Sequence, residues 1–461
     1  MTSYRLLPFQ LSLLFSFLTL CTACQSTIST EKRPAFPKDS LLSYNRYQPQ
    51  EGDHIISRSD YAEKLYGFWL AQCVANWTGL VTEMDKVGDE STGAFYTREA
   101  WGQTDQPDFW SRKVSKLSPI IDFVYAADDS IWGADDDTDI EYMYQHLLYT
   151  NQTSVLTPEQ IRDGWLKHIK REEENYLWVS NEIAFELMQK GYLPPKTSDP
   201  KLNEYYDMID AQLTTEIFGL FAPGRLDIAR KIAQLPIQTT ARIQADEIAQ
   251  FYIDMHALAA VGDSTQSIRD QLWEMAETAR KRLQEDHYPA KMYDFVQDLY
   301  QQGKSWEEAR DAVYQRYQVD QEDGYDMTSR QLPCNACFAA GINYAASLVS
   351  LFYGEGDLKE TIKIGALCGW DSDNPTATWG GLIGFMIGKE GVEKAFGHTF
   401  SNRFHIHRTR INFPEGVDTF EEMAQKGVFI VDRVVQEQMG GGVDLTEDRW
   451  YIPSYSLTTT K

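Results

Sequence analysis

Gly67-Phe68-Trp69-Leu70-Ala71-Gln72-Cys73-Val74-Ala75-Asn76-Trp77-Thr78-Gly79 places a small residue at 67, 71, 75 and 79 inside an otherwise bulky apolar run. Residues four apart share one face of a helix, so this face is nearly bare and admits a close neighbour. Apolar spacing of three and four extends the predicted helix from Tyr61 to Val81. The same device recurs late in the chain, where Gly380, Gly384 and Gly388 stand four apart in the apolar segment Pro375 to Ile387. Glycine weakens a helix, so close packing or a tight cavity must compensate.

Outward from these two segments the chain reads as helix after helix. Helical spacing covers Ile140 to Leu148, a pair within Glu159 to Gln189, Tyr205 to Phe221, Ile228 to Ala233, Ala241 to Ala260 and Ser264 to Asp286. Tyr293 to Gln301, Trp306 to Tyr317 and Ala336 to Phe352 continue the pattern, while Gly191 to Pro200, with three prolines, is a loop. Strand-like alternation is scarce and no strand-turn-helix unit repeats, so the expected class is all-α, with short strands confined to the chain after Arg403. Residues 58 to 461 show no linker and read as a single mostly helical domain with a C-terminal extension.

The amino terminus differs. Leu6 to Leu20 is a broken apolar run behind Arg5, too short for a spanning helix and placed like a secretory signal. Leu20-Cys21-Thr22-Ala23-Cys24 resembles a bacterial lipoprotein signal, with residues 1–23 removed and lipid attached to Cys24. Residues 24–57 then form a tether leading into the domain, and the location implied is the cell envelope, facing periplasm or exterior. Cys334-Asn335-Ala336-Cys337 admits buried thiols, a disulfide or a zinc site; small buried thiols at a helix start are expected.

The 461 residues carry 43 basic and 68 acidic side chains, a net charge of −25. Such a surface repels phosphate backbones, and no basic stripe offsets it, so a nucleic-acid polymer is excluded as partner. A monomer acting on a small molecule or a glycan is the expected form.

Two acidic blocks carry the chemistry. Asp135-Asp136-Asp137-Thr138-Asp139 precedes a helix; Asp135 suits its cap, yet four carboxylates in five residues exceed what capping needs. Gly369-Trp370-Asp371-Ser372-Asp373-Asn374-Pro375 places two carboxylates and an amide oxygen before a helix whose first turn holds a proline. Oxygen donors of this kind suit one or two magnesium ions, or manganese or calcium, better than zinc. The competing reading of each block is a solvated acidic turn.

On these residues the chain resembles the ADP-ribosylglycohydrolase family. Residues 67 to 79, running on to Glu83, are similar to its glycine-rich first helix and acidic substrate loop; Asp135-Asp136-Asp137-Thr138 and Gly369 to Asn374 are similar to its early and late metal motifs. The resemblance covers about residues 60 to 390 and implies a compact orthogonal helical bundle. It also implies Asp136, Asp137, Asp371 and Asp373 as metal ligands, with Asp135 and Asn374 retaining oxygen where the family commonly has threonine. Asn76 falls where members commonly have aspartate. Glu216 to Gly224, including Phe218 and Gly219, occupies the substrate-facing middle region but lacks the usual basic residue.

The implied reaction is hydrolysis at a ribofuranosyl or related anomeric carbon, with ADP-ribosyl adducts among the substrates. Glu83 is the candidate for acid–base assistance, and Asp137 or Asp373 for orienting water. Asn76, Phe218 and Gly219 are the candidate substrate contacts, with Trp132 and Trp370 as stacking rings or as local packing. The alternative is a non-catalytic cell-surface protein that binds carbohydrate or nucleotide sugar on the same scaffold.

Overall fold

The structure, a computed structural model, describes residues 36–133, 135–171, 177–263, 265–407, 409–414 and 416–454, with the backbone but not the side chain of Asp136. The signal reading of residues 1–23 and the Cys24 lipid site lie outside these residues. All described residues belong to one compact unit, residues 35–461. Among them no helix is long and apolar enough to cross a membrane.

The α-helices are α1 (Arg58–Thr82), α2 (Asp136–Thr150), α3 (Pro158–His168), α4 (Val179–Gln189), α5 (Ile217–Leu220), α6 (Leu226–Ile237) and α7 (Gln244–Ala259). They continue as α8 (Ile268–Arg280), α9 (Tyr288–Gln301), α10 (Trp306–Val313), α11 (Ala340–Tyr353), α12 (Leu358–Cys368), α13 (Asp373–Phe396) and α14 (Phe420–Glu437). The fold is an all-α bundle with a few short strands, as the helical periodicity predicts.

The packing of α1 against α13 organises the bundle. A Cβ added to Gly384 would lie 2.3 Å from Ala71 Cβ and 2.4 Å from Gly67 O; one added to Gly79 would lie 2.4 Å from the Cα of Asp373. The bare faces read from the sequence are therefore one helix–helix contact, and each face explains the other. Both helices are buried on nearly all sides, which is the normal environment of a helix apolar all round. Helix α13 breaks at Gly388, whose φ of +69° only glycine adopts without strain.

The strands are β1 (His54–Ser57), β2 (Trp132–Gly133), β3 (Arg403–His405), β4 (Val417–Thr419), β5 (Gly442–Asp444) and β6 (Arg449–Ile452). They form two three-stranded sheets, ordered β1-β6-β5 and β2-β3-β4. Strands after Arg403 are thus present, but each sheet also recruits a partner from earlier in the chain.

Two further expectations are corrected. Residues 36–57 are not a free tether. The Arg58 guanidinium, fully buried, pairs with Asp432 at 2.7 Å and donates to the carbonyls of Phe36 and Pro37 at 3.2 and 3.0 Å. Residues 205–221 are not a continuous helix. Met208 bridges to Ala339, Asp207 pairs with Arg330, and apart from a single 3-10 turn at Ile209–Ala211 only α5 at the end is helical, because these long-range contacts outweigh local periodicity.

Candidate functional site

Helix α1 ends at Thr82, and Glu83 is its C-cap. The chain that follows is stitched to the late acidic block: Met84 N donates to Trp370 O at 2.9 Å and Trp370 N donates to Lys86 O at 2.7 Å. Gly369 holds φ +97°, and a Cβ there would lie 2.5 Å from Lys86 O, so this crossing requires glycine. Ser372 Oγ donates to Gly79 O at 3.1 Å, tying the same block to α1. From the other side, Asp371 N donates at 3.1 Å to Asn343 Oδ1, whose amide is in turn held by Cys337 O and Ala339 O.

This scaffold brings the remote acidic blocks together. Carboxylate oxygens of Asp135, Asp137 and Asp373 lie within 4.8 Å of one another, and so do those of Glu83, Asp371 and Asp373. The two clusters share Asp373. Asp135 caps α2 by accepting from Thr138 N at 2.9 Å, which leaves its second oxygen for Asn76 Nδ2. The Asn76 amide also reaches Asp373 Oδ2 at 3.3 Å, and Asn374 Nδ2 donates to Asp137 Oδ2 at 2.7 Å. Asn76 thus joins both blocks through its side-chain amide. The side chain of Asp136 is outside the description, so its expected ligand role has no placement here.

The donor set fits a hard divalent cation. Asp137, Asp371 and Asp373 are buried, and buried like charges at this separation oppose ionisation unless a cation lies among them. Asn374 Oδ1 and Thr138 Oγ1 are buried with no hydrogen-bond partner among the described residues, leaving neutral oxygens beside the carboxylates.

The clusters floor an open cavity of about 230 Å³. Its lining holds six carboxylates, Glu83, Asp135, Asp137, Asp210, Asp371 and Asp373, with Asn374 and the apolar Leu80, Met84, Trp110, Trp178, Val179, Ile209 and Phe338. Asp210 belongs to neither acidic block and lies in the stretch expected to be helical, so periodicity hid it. Burial pushes its carboxyl up to about 6, while hydrogen bonds from Ser180 and Asn181 pull the other way.

Four expected substrate contacts lie elsewhere. Trp132 is fully buried against Trp77 and donates to Ser401 O at 2.8 Å; Trp370 is fully buried against Phe95 and donates to Gln318 Oε1 at 2.6 Å. Phe218 packs on Tyr144 in the core, and a Cβ on Gly219 would lie 2.5 Å from Ile253 O in α7. These four residues are buried in the core and do not line the cavity. The Cys334–Cys337 pair is a disulfide and not two buried thiols. Cys334, Asn335 and Ala336 take φ of +46°, +56° and +60°, a turn that brings the two Cα atoms to 5.4 Å, whereas α11 begins only at Ala340.

One helical turn from the clusters lies a second polar layer. Gln72, one turn before Asn76, donates to Glu141 Oε2 at 2.7 Å and to Glu216 Oε1 at 3.3 Å, and Ile217 N donates to Glu141 Oε1 at 2.8 Å. Both carboxyls are fully buried. Burial pushes Glu141 up to about 8 and raises Glu216 well above the ordinary range, while it holds the nearby His256 imidazole neutral, down to about 4. Folded Glu141 therefore keeps a proton that the unfolded chain releases near its ordinary 4.5, so its contribution to stability is complete at low pH and lost as pH rises through about 8. Relative to Glu141→Gln, the wild type is expected to lose melting temperature steadily between pH 5 and 8.5. A difference that is flat with pH in paired thermal melts would refute this.

Comparison with known proteins places these features in a family. The family model described as ADP-ribosylglycohydrolase matches residues 57–434. A solved chain described as an "ADP-ribosylglycohydrolase-related protein complex" is 14% identical, with 81% of this chain and 99% of that chain covered and a TM-score of 0.46. The search of curated proteins gives no match.

Proposed function

The chain belongs to the ADP-ribosylglycohydrolase family, and on that premise we propose that it is a divalent-metal-dependent hydrolase of a glycosidic bond, acting at a ribofuranosyl or related anomeric carbon. The observation that carries this reading is Asp373, shared by two carboxylate clusters on the floor of an open cavity. Asp135, Asp137, Asp371, Asp373 and Asn374 would hold magnesium, as one or two ions, with manganese or calcium as substitutes. Bound there, the cation would polarise hydroxyl and water oxygens and offset charge developing as the bond breaks.

The protein's own groups do the rest. Glu83, half-buried at the end of α1, takes part both in one cluster and in the cavity wall, so it is placed to accept a proton from the attacking water and return it to the leaving group. The water oxygen bonds to the anomeric carbon as the glycosidic bond breaks. Asp137 and Asp373 orient that water, and the hydrogen bond from Asn374 keeps Asp137 in place. The lipoprotein-like segment ending at Cys24 supports action in the cell envelope, as does a disulfide, which persists in oxidising compartments.

Turnover of a panel of ribofuranosides and ADP-ribosyl adducts is expected to stop on chelation and return with magnesium or manganese. Undiminished turnover by protein stripped of all divalent metal would overturn the mechanism.

A further inference from the structure

Of the twelve tryptophans in the chain, only Trp110 and Trp178 are exposed, at 38% and 52%. Of the other ten, seven are buried and three half-buried; large aromatic rings left in water at a cavity mouth forgo that burial, which is how a recognition surface differs from a core. The two rings lie 5.6 Å apart at 43°, and Trp110 faces Phe338 at 6.3 Å and 30°. All three line the cavity that the carboxylate clusters floor.

Among the described residues the same wall carries no lysine or arginine. Two divalent cations would offset four of the six lining carboxylates, so the cavity stays acidic even when fully loaded. A diphosphate brought into it would meet like charge at short range in a partly enclosed space. A basic side chain, Lys113, stands exposed in an outer groove that shares Glu83, Met84, Trp110 and Trp178 with the cavity.

We propose that Trp110 and Trp178 form an aromatic clamp for the leaving group, and that this group is an uncharged ring with a flat apolar face. The inference rests on the hydrolase reading and narrows its substrate class to neutral glycosides, in which the ring beyond the scissile bond stacks on the two indoles. A neighbouring sugar and an aryl aglycone share this chemistry.

The test uses the whole purified protein with magnesium and three probes: an aryl ribofuranoside, a ribofuranosyl-capped neutral oligosaccharide and an ADP-ribosylated peptide. Turnover of at least one neutral probe is expected to exceed that of the ADP-ribosylated peptide by tenfold or more in kcat/KM, and the better neutral probe identifies the source of the ring. Trp110→Ala and Trp178→Ala are expected to raise KM for that probe about tenfold with kcat largely kept, and Trp178→Phe to recover most of the loss. A second readout is independent of catalysis: indole fluorescence of metal-free protein should change on titration with the neutral glycoside and not with ADP-ribose. Absence of turnover with all probes, alongside that fluorescence change, would sink the hydrolase reading and leave the clamp standing. Preference for the ADP-ribosylated peptide, or a Lys113→Ala variant more impaired than either tryptophan variant, would overturn the clamp.

Discussion

Replacing Asp373 with alanine is expected to lower kcat/KM by about a thousandfold or more, equivalent to roughly 4 kcal/mol of transition-state stabilisation. The size follows from its position: its oxygens belong to both carboxylate clusters, so a single change breaks both. The variant should still fold. Asn76 keeps its bond to Asp135, and Asn374 keeps its bond to Asp137. Removing one of several crowded buried carboxylates also relieves repulsion in the metal-free state. Without divalent cation the Asp373→Ala protein should therefore melt at or above the wild-type temperature, and added manganese should stabilise only the wild type. Retained manganese affinity in the variant, measured by calorimetry, would rule out the shared ligand.

The second large effect concerns the contact between α1 and α13. Gly384→Ala places a methyl group 2.3 Å from Ala71 Cβ and 2.4 Å from the Gly67 carbonyl, where one of the obstacles is backbone and cannot rotate away. Overpacking of a core costs about 1–3 kcal/mol, and a clash with helix backbone belongs at or beyond the upper end. Gly416→Ala, where nothing lies within 4 Å of the added atom, is the matched control and should change stability by no more than about 0.5 kcal/mol. Gly79→Ala separates packing from chemistry. Its added Cβ meets the Cα of Asp373 at 2.4 Å, so it should weaken metal binding as well as stability, whereas Gly384→Ala should affect stability alone. Denaturant midpoints and metal titrations of the three variants check the pattern. Equal midpoints for Gly384→Ala and Gly416→Ala would contradict the close-packed contact.

The family resemblance read from three short blocks agrees with the family match over residues 57–434. The acidic blocks were legible because unsupported charge density stands out in one dimension. The cavity wall was not. Trp178 and Phe338 fall inside stretches whose spacing reads as helical and Trp110 follows Phe109 in an irregular one, so nothing in the sequence sets them apart from Trp132 and Trp370, which sit beside the acidic blocks and yet are buried behind them. Proximity in sequence misled there, because a strand and a tight turn direct those two side chains inward.

Asp210 shows the same boundary from the other side. Its segment has helical spacing, but the pairing of Met208 with Ala339 holds the chain out of a helix, and the carboxyl ends in the cavity.

Local pattern by itself determined the helical class, the two bare helix faces and the identity of the oxygen donors, since periodicity and residue chemistry are properties of short segments. Which bare face meets which, that one aspartate serves two clusters, and which aromatic rings stay in water were decided only when the chain closed on itself. Contacts between residues hundreds of positions apart depend on shape and burial, which no short segment contains.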